Sequence, residues 1–219
     1  MQVDPGLWGE IGQASLDTVY MIGLSVLFSV LLGGPVGIFL VVAGPGHLKP
    51  MPGLYRIVGA VVNIVRSIPF IILLILMIPF TRLLVGTSIG VTAAIPPLVA
   101  SAAPFFARLV ETSLREVDRG VIEAAQAMGA RTGQIIWKVL LPEARPGLLA
   151  GITITAVNLI GYSAMAVAIG GGGLGDLAVR YGYQRFDTGV MLLTTALLVV
   201  FVQLLQWGGD RLVLRFTRR

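Results

Sequence analysis

Side chains that commonly carry out chemistry are few in this chain, and their spacing forms no recognisable catalytic or metal site. None of the 219 residues is cysteine, which excludes disulfides and thiolate metal sites. The one histidine, His47, has no second histidine or cysteine near it in the sequence, and we interpret it as a surface residue beside a Gly-Pro turn. We therefore expect no catalytic residue, no metal site and no cofactor.

Two glycine patterns bear on nucleotide binding. Residues 170–175 formally match Gly-x-Gly-x-x-Gly, but a dinucleotide site also needs a preceding strand, a following helix and a later acidic residue. The run lies at the outer end of a predicted membrane span, so we interpret it as a tight turn beneath an external partner. The phosphate-binding pattern Gly-x-x-x-x-Gly-Lys-Ser/Thr does not occur in the sequence. The sequence therefore offers no loop of this kind for the phosphates of a nucleotide.

Polar side chains that could contact a small solute cluster in one long apolar stretch, between Pro146 and Ile169. They are Thr153, Thr155, Asn158, Tyr162 and Ser163, with Met165 beyond them. Because polar groups are costly in lipid, these side chains are expected to face protein or water. Two interpretations stay open for each of them. It lines a path for a solute, or it forms hydrogen bonds between helices.

The composition places these residues in a lipid bilayer. Hydrophobic residues make up 56% of the chain and charged residues only 12%, whereas soluble domains carry about 25% charged residues. Uncharged runs long enough to cross about 30 Å of hydrocarbon indicate transmembrane helices. They predict an all-α integral membrane protein with five transmembrane helices, at about residues 19–42, 57–80, 83–106, 146–169 and 188–207.

Basic residues are distributed unevenly among the segments between these spans. Thirteen of the 16 lysines and arginines fall in alternate segments, which include a long loop at about 107–145 and a C-terminal tail at 208–219. Because such residues accumulate on the cytoplasmic side, we expect the loop and the C-terminus inside and the N-terminus outside. The net charge of +5 is then a consequence of topology, and no nucleic-acid partner is expected.

Glycine, alanine and proline interrupt the predicted spans. Gly33 and Gly37 in the first span, and Ala100 and Ala103 in the third, are small enough to let helices approach closely. Prolines inside the spans remove backbone donors that lipid cannot replace, so neighbouring helices or a water-lined cavity must compensate. Such frequent breaks are more typical of a moving transporter than of a rigid anchor.

The predicted cytoplasmic loop contains two short helices. The first covers about 121–128, and Gly129 is expected to end it because glycine accepts the left-handed backbone conformation. The residues expected to share one face of it are Val121, Ile122, Ala125 and Met128. Thr132 is predicted to cap a second helix, which Pro142 is predicted to end.

The residues of this loop resemble the signature of the type I bacterial ABC import permeases. That signature is Glu-Ala-Ala, three residues, Gly, nine residues, an aliphatic residue, one residue and Leu-Pro. The positions that match it here are Glu123, Ala124, Ala125, Gly129, Val139, Leu141 and Pro142. The family more often has isoleucine where this chain has Val139. The resemblance implies a permease domain over 15–207, whose first short loop helix, with Met128, couples to a separate ATPase.

Stretches outside the loop resemble the methionine importer permeases over about residues 15–211. They include residues 63–70, 77–82, 161–165 and 171–175. The resemblance implies a multi-pass protein of the bacterial inner membrane that transports but does not hydrolyse ATP. It also implies a homodimer, two ABC ATPase subunits at its cytoplasmic face and an external substrate-binding protein. The residues expected to line or close the translocation path are Asn158, Tyr162, Ser163 and Met165.

Three other interpretations remain open at this stage. The importer could carry a small solute other than methionine, since the apolar stretch with its few polar groups does not select one. An ion-coupled secondary transporter is a second possibility, but such proteins place ionisable residues within the membrane, and only Arg66 comes near that position. A structural scaffold is the third, and it would leave the loop signature unexplained.

Overall fold

A computed structural model of the chain describes residues 5–217. Over these residues the chain is helical and contains no strand. The α-helices are α1 (Pro5–Val42), α2 (Pro52–Ser67), α3 (Phe70–Leu76), α4 (Ile78–Val85), α5 (Val91–Arg115), α6 (Arg119–Ala127), α7 (Thr132–Ile135), α8 (Leu141–Glu143), α9 (Arg145–Met165), α10 (Gly173–Leu177) and α11 (Thr188–Phe216). Two π-helical segments cover Ile136–Leu140 and Ala178–Gln184, and a 3-10 helix covers Ala166–Ile169.

Four helical segments of the described chain are long and apolar enough to cross a membrane. They are Gly6–Val42, Val91–Arg115, Arg145–Ile169 and Thr188–Phe216. A fifth span exists if α2 and α3 are counted together, although they meet at a bend of 103°. The predicted all-α membrane fold is confirmed, and the count of spans is four, or five with this bent pair.

The predicted second span, 57–80, is not one straight helix. Pro69 has no backbone N–H and disfavours helical geometry in the residue before it. Accordingly Ile68 is extended, with φ −78° and ψ 123°, and α2 ends at Ser67. An apolar run reveals the presence of a span but not its direction, so the sequence interpretation missed the bend.

The boundary predicted between the second and third spans, at 81–82, is wrong. Helix α4 continues through both residues, because a single arginine does not end a helix. The chain instead turns between Gly86 and Gly90, whose φ angles are 81° and 101°. These values lie in the region that favours glycine. The next long helix therefore begins at Val91 and runs on to Arg115.

Buried apolar residues form three layers along the bundle. The middle layer joins α1, α3, α5 and α9 around Met21, Leu98 and Leu159. At one end, the loop after α5 packs on the ends of α1 and α5 through Leu114, Ile135 and other residues. At the opposite end, the start of α1 packs on α10 and α11. The two ends are called here the loop end and the opposite end.

Helices α1 and α5 form the largest helix–helix contact in the described chain, and glycine makes it possible. A Cβ atom placed on Gly33 would lie 2.3 Å from the carbonyl oxygen of Ala103. A Cβ atom on Gly37 would lie 2.5 Å from the carbonyl oxygen of Ala107 and 2.6 Å from Cβ of Val110. The two backbones therefore touch, and the predicted close approach at Gly33 and Gly37 is confirmed.

Helix α11 is the most exposed of the spans. Asp187 caps its start by accepting a hydrogen bond from the Val190 N–H at 3.1 Å. Only 11% of its apolar window is buried inside the chain. It runs to Phe216, so most of the predicted tail at 208–219 continues this helix; residues 218 and 219 lie outside the described residues.

We predict that Gly33→Ala destabilises the protein by about 1–3 kcal/mol, because the added methyl group overpacks the α1–α5 contact against main-chain atoms. The apparent melting temperature in detergent measures the effect. The matched control is Gly23→Ala in the same helix, where a Cβ atom would meet no other atom within 4 Å. Equal melting temperatures for the two variants would contradict the prediction.

Candidate functional site

Helix α6, at the loop end, has a defined start and a defined stop. The Asp118 side chain caps its start by accepting a hydrogen bond from the Gly120 N–H at 2.6 Å. At its end, the N–H groups of Gly129 and Ala130 donate to the carbonyls of Gln126 (2.9 Å) and Ala125 (3.1 Å). Together with the Gly129 φ of 79°, this is a Schellman motif. The predicted helix and its glycine stop are confirmed.

The face that α6 buries is narrower than predicted. Ala125 is buried and Ile122 is half-buried, whereas Val121 and Met128 are exposed. Met128 lies at the C-cap, where the chain leaves the helical path, and it is 82% exposed. Of the four residues predicted to share one face, Val121 and Met128 therefore take no part in burying it.

Two of the three Glu-Ala-Ala residues of α6, Glu123 and Ala124, point away from the bundle, whereas Ala125 is buried. Glu123 and Ala124 are exposed, and Glu123 forms no hydrogen bond or ion pair with any residue in the range 5–217. A carboxylate that has no partner within its own described chain, beside an alanine that allows close approach, is available for contact with another protein.

The second part of the loop differs from its prediction at both ends. Thr132 is the first helical residue and does not cap the helix; the side chain of Gln134 instead accepts a hydrogen bond from the Arg131 N–H at 2.8 Å. Pro142 does not end the helix either. A π-helical segment, Ile136–Leu140, precedes it and leads into α8, and the chain breaks only at Ala144. The wider π turn lets the helical path continue to a proline despite its missing donor.

The later signature residues anchor the loop to the bundle. Val139, Leu141 and Pro142 are half-buried, and the first two pack against the loop-end cluster. Trp137, in the same π segment, is 73% exposed. Sequence reasoning did not single it out, because the π turn that carries it outward has no sequence signal. Tryptophan and methionine are enriched at protein interfaces, so Trp137 and Met128 both mark this loop as a contact surface.

His47 lies in the connection between α1 and α2 and is half-buried rather than fully exposed. It lines a cavity of about 380 Å³ between this connection, the end of α5 and α6. Burial, together with the positive charges of Arg115 and Arg119, lowers the pKa of His47 below its usual value. The imidazole is therefore neutral at physiological pH.

A group of charged residues that sequence reasoning missed occupies the loop end of α5. Glu111 is only 5% exposed and accepts hydrogen bonds from Arg108 and Arg115. Arg108 also donates to the Asn63 side chain on α2, at 2.9 Å. The spacing of these residues, i, i+3 and i+7 on one helix, was the available sequence signal. Arg66, by contrast, has no acidic partner in the described chain and lies 5.8 Å from the Phe105 ring centre.

Helix α9 brings some of the predicted path residues to one face and separates others. Asn158 is half-buried and Met165 is 46% exposed. Together with Ile154 and Gly161, they follow helical spacing along one open face, called here the α9 face. Ser163 lies on the opposite, buried side, where its hydroxyl donates to the Ile160 carbonyl at 2.8 Å.

Tyr162 lies beside the α9 face and contacts the bent pair of helices. Its ring stacks on Phe70, the first residue of α3, with ring centres 4.8 Å apart and planes inclined by 11°. Phe70 is buried. The bend after α2 therefore places an aromatic ring against the helix that carries the predicted path residues.

The glycine run 170–175 forms a tight turn at the opposite end, as predicted. Gly170, Gly172 and Gly173 have positive φ angles of 62°, 70° and 80°. The Gly90 N–H donates to the Gly170 carbonyl at 3.1 Å, which ties the start of α5 to this turn. A Cβ atom on Gly175 would lie 2.3 Å from Cα of Ala164. The external partner expected above this turn remains a prediction.

Comparisons with known proteins all indicate one family. The model of the family described as binding-protein-dependent transport system inner membrane component matches residues 33–218. A relative from Vibrio cholerae, named as a probable D-methionine transport system permease protein, is 51% identical over 94% of this chain and 92% of its own length. A relative from Bacillus subtilis, named as a methionine import system permease protein, is 49% identical over 92% of this chain and 90% of its own length.

A solved structure has the same fold. It is described as showing inward-facing conformations of the MetNI methionine ABC transporter. The matching chain is 50% identical in sequence and superimposes with a TM-score of 0.97, over 99% of this chain and 100% of the other. The predicted type I importer permease fold agrees with this likeness.

We predict that Gly129→Ala destabilises the end of α6 by about 1–2 kcal/mol, because a left-handed φ of 79° is unfavourable for residues with a Cβ atom. Hydrogen exchange of the amides in α6 measures this local stability. Gly129→Asn should cost less, since asparagine tolerates the left-handed region. Gly133→Ala is the control because a Cβ atom there meets nothing within 4 Å. Unchanged exchange in Gly129→Ala would refute the proposed role of this turn.

We predict that His47 makes the protein sensitive to mild acid. Its pKa is lowered in the folded protein, so the unfolded chain binds a proton more readily. Its contribution to stability is therefore fully present above the unfolded pKa of about 6.5 and is lost as the pH falls through the folded pKa. The melting temperature should fall less between pH 7.5 and 5.5 in His47→Gln than in the parent protein. The same fall in both would show that His47 does not contribute.

Proposed function

The chain belongs to the family of binding-protein-dependent transport system inner membrane components, and from that premise we propose that it is the permease subunit of an ATP-driven methionine importer. The observation that carries the proposal is near-complete similarity, at about half identity, to relatives named for methionine transport. The likeness to the solved methionine transporter extends over the whole chain. The part of the chain outside these matches is too short to form a different substrate path.

The proposed orientation places the loop end in the cytoplasm of a bacterium and the opposite end outside. Near the loop end lie Arg108, Arg115, Arg119, Arg131, Lys138 and Arg145, whereas among the described residues only Arg82, Arg180 and Arg185 lie toward the opposite end. This asymmetry supports a multi-pass protein of the inner membrane with its N-terminus outside and its C-terminus inside.

The proposed ATPase contact is centred on Glu123–Gly129. Ala124 leaves room for a close partner, the Glu123 carboxylate is free for a salt bridge, and Met128 offers an adaptable apolar side chain. Val139 and Leu141 hold the second part of the loop against α1 and α5, and Pro142 follows them. A partner that moves α6 would therefore also move the ends of these long helices. In the full complex, two copies of the chain bind two ATPase subunits.

The proposed translocation path runs along the α9 face, between two copies of the chain. An asparagine is costly on a surface covered by lipid, so Asn158 supports burial of this face against a second copy and a solute path. Met165, at the opposite end of the face, closes the path from outside. Tyr162 borders the path, and Ser163 stabilises α9 from behind. An external binding protein delivers methionine to the opposite end.

We predict that vesicles containing this chain and its ATPase take up methionine only when ATP and the binding protein are supplied on the correct sides. Uptake of labelled methionine is measured against competing amino acids and sugars. The matched control contains the same proteins with an ATPase variant that cannot hydrolyse ATP. Uptake driven by an ion gradient without the ATPase would refute the proposal in favour of a secondary transporter. ATP-driven uptake of a different solute would refute methionine alone.

We predict that Ala124→Arg weakens binding of the ATPase subunit by about tenfold or more, because a long side chain fills the space needed for close contact. Affinity of the purified permease for the ATPase measures the effect, and size-exclusion chromatography checks folding. The control is Gly133→Arg, which adds the same side chain to an exposed position of the same loop. An unaltered affinity in Ala124→Arg would exclude α6 as the contact.

A further inference from the structure

We propose that Glu111 is a positioning residue for translocation: through two arginines it fixes α2, and with it the aromatic pair beside the α9 face. This inference rests on the proposed importer function and identifies how motion would pass from the ATPase contact to the path. Arg108, Glu111 and Arg115 are called here the α5 clamp. None of the three belongs to the loop signature or to the predicted path.

The clamp is built around a buried carboxylate. One Glu111 oxygen accepts a hydrogen bond from Arg108, and the other accepts two from Arg115, at 2.9 and 3.2 Å. Two arginines of the same helix thus fully compensate one buried negative charge. Since a buried carboxylate without a partner is strongly unfavourable, the two guanidinium groups are held in fixed positions.

Both arginines also donate to α2. Arg108 Nη2 donates to the Asn63 side chain at 2.9 Å and to the Gly59 carbonyl at 3.2 Å. Arg115 Nη2 donates to the Tyr55 hydroxyl at 3.4 Å. Tyr55, Gly59 and Asn63 are spaced four residues apart, so they lie along one face of α2. The clamp therefore holds three successive turns of this helix.

Few other contacts hold α2 in place. Its buried residues are Gly59 and Val62 alone, among the 16 residues of the helix. The rest of the chain does not cover its large apolar side chains: Leu54, Ile57, Val61 and Ile64 are exposed. Apolar packing therefore does little to fix the position of α2 relative to the other helices of the chain. The directional hydrogen bonds of the clamp supply what packing does not.

The far end of α2 leads directly to the proposed path. After the bend at Ser67–Pro69, the next residue is Phe70, which stacks on Tyr162. Tyr162 in turn precedes Met165 by one helical turn. A shift of α2 relative to α5 therefore displaces the ring that supports the helix carrying the proposed gate.

The near end of the clamp lies next to the proposed ATPase contact. Arg115 is the last residue of α5, and Asp118, three residues later, caps α6. Motion of α6 therefore reaches the clamp through a very short connection. Arg108 Nε is buried and has no hydrogen-bond partner among the described residues. One donor of the clamp is thus left for a second arrangement of the same groups.

The test uses the permease reconstituted in vesicles with its ATPase and binding protein. We expect Glu111→Gln and Asn63→Ala each to lower the methionine taken up per ATP hydrolysed by about fivefold, with ATPase binding retained. Combining the two should cost less than the sum of the separate effects, because both act on one clamp. Glu116→Gln is the control, since Glu116 is exposed on the turn after α5 and forms no ion pair within residues 5–217. In this variant the methionine taken up per ATP hydrolysed should stay at the parent value.

The position of α2 is measured separately. The chain contains no cysteine, so single pairs can be introduced for spin labels. Ile64→Cys with Thr112→Cys reports α2 against α5, and Leu31→Cys with Thr112→Cys reports α1 against α5; all three positions are exposed. We expect Glu111→Gln to broaden the first distance distribution and leave the second unchanged.

Each outcome decides a different question. The inference would be overturned if Glu111→Gln and Asn63→Ala both kept the parent amount of methionine taken up per ATP hydrolysed and the parent α2–α5 distance. A proportional loss of uptake and hydrolysis, with the ratio kept, would show a structural role only and would also overturn it. If Glu111→Gln does not fold, Asn63→Ala decides, because the side chain of Asn63 is exposed. Failure of the parent protein to transport methionine would count against the proposed function, while the distance measurement would still test the clamp.

Discussion

The direct contact between the backbones of α1 and α5 determines where everything else in the molecule can lie. Gly33 and Gly37 remove the side chains that would otherwise separate these helices, so main-chain atoms of α5 meet α1 directly. Within lipid, helices gain nothing from burying apolar surface, and close van der Waals packing is a main source of association. Helix α5 thereby becomes a fixed reference. The loop that carries α6 follows one end of α5, and the glycine turn at residues 170–175 is hydrogen-bonded to the other end.

The other helices and the loop are attached to the α1–α5 pair in two ways, which differ in how firmly they hold. Apolar packing fixes α9 and the second half of the loop, through buried residues such as Leu140 and Leu159. Helix α2, by contrast, is held by charged groups and has little buried surface. Packed helices shift with difficulty, whereas hydrogen-bonded ones can exchange partners. Phe70, three residues after the end of α2, belongs to the packed core and stacks there on Tyr162.

Sequence reasoning reached the local features and missed those that depend on distant residues. It gave the class of fold, the α6 helix and its stop at Gly129, because hydrophobic periodicity and glycine geometry act within a few residues. It could not give the direction of α3 after Pro69, since an apolar run has no direction. The attachment of α2 to the clamp was also beyond it, because Asn63 and Arg108 are far apart in the sequence. Ser163 lies five residues after Asn158, a spacing that puts the two on different sides of α9, and its hydroxyl bonds the Ile160 carbonyl there.

The small buried fraction of α11 bears on how the protein is made. Helix α11 is synthesised after α1, α5 and α9, and a membrane helix satisfies its own backbone hydrogen bonds as soon as it is inserted. It packs on α9 and α10 through a few buried residues, such as Val190 and Gly209, and most of its surface lies outside the interior. The core of α1, α5 and α9 can therefore assemble while α11 is still leaving the ribosome. Biogenesis would then proceed in chain order, with α11 docking onto an assembled core.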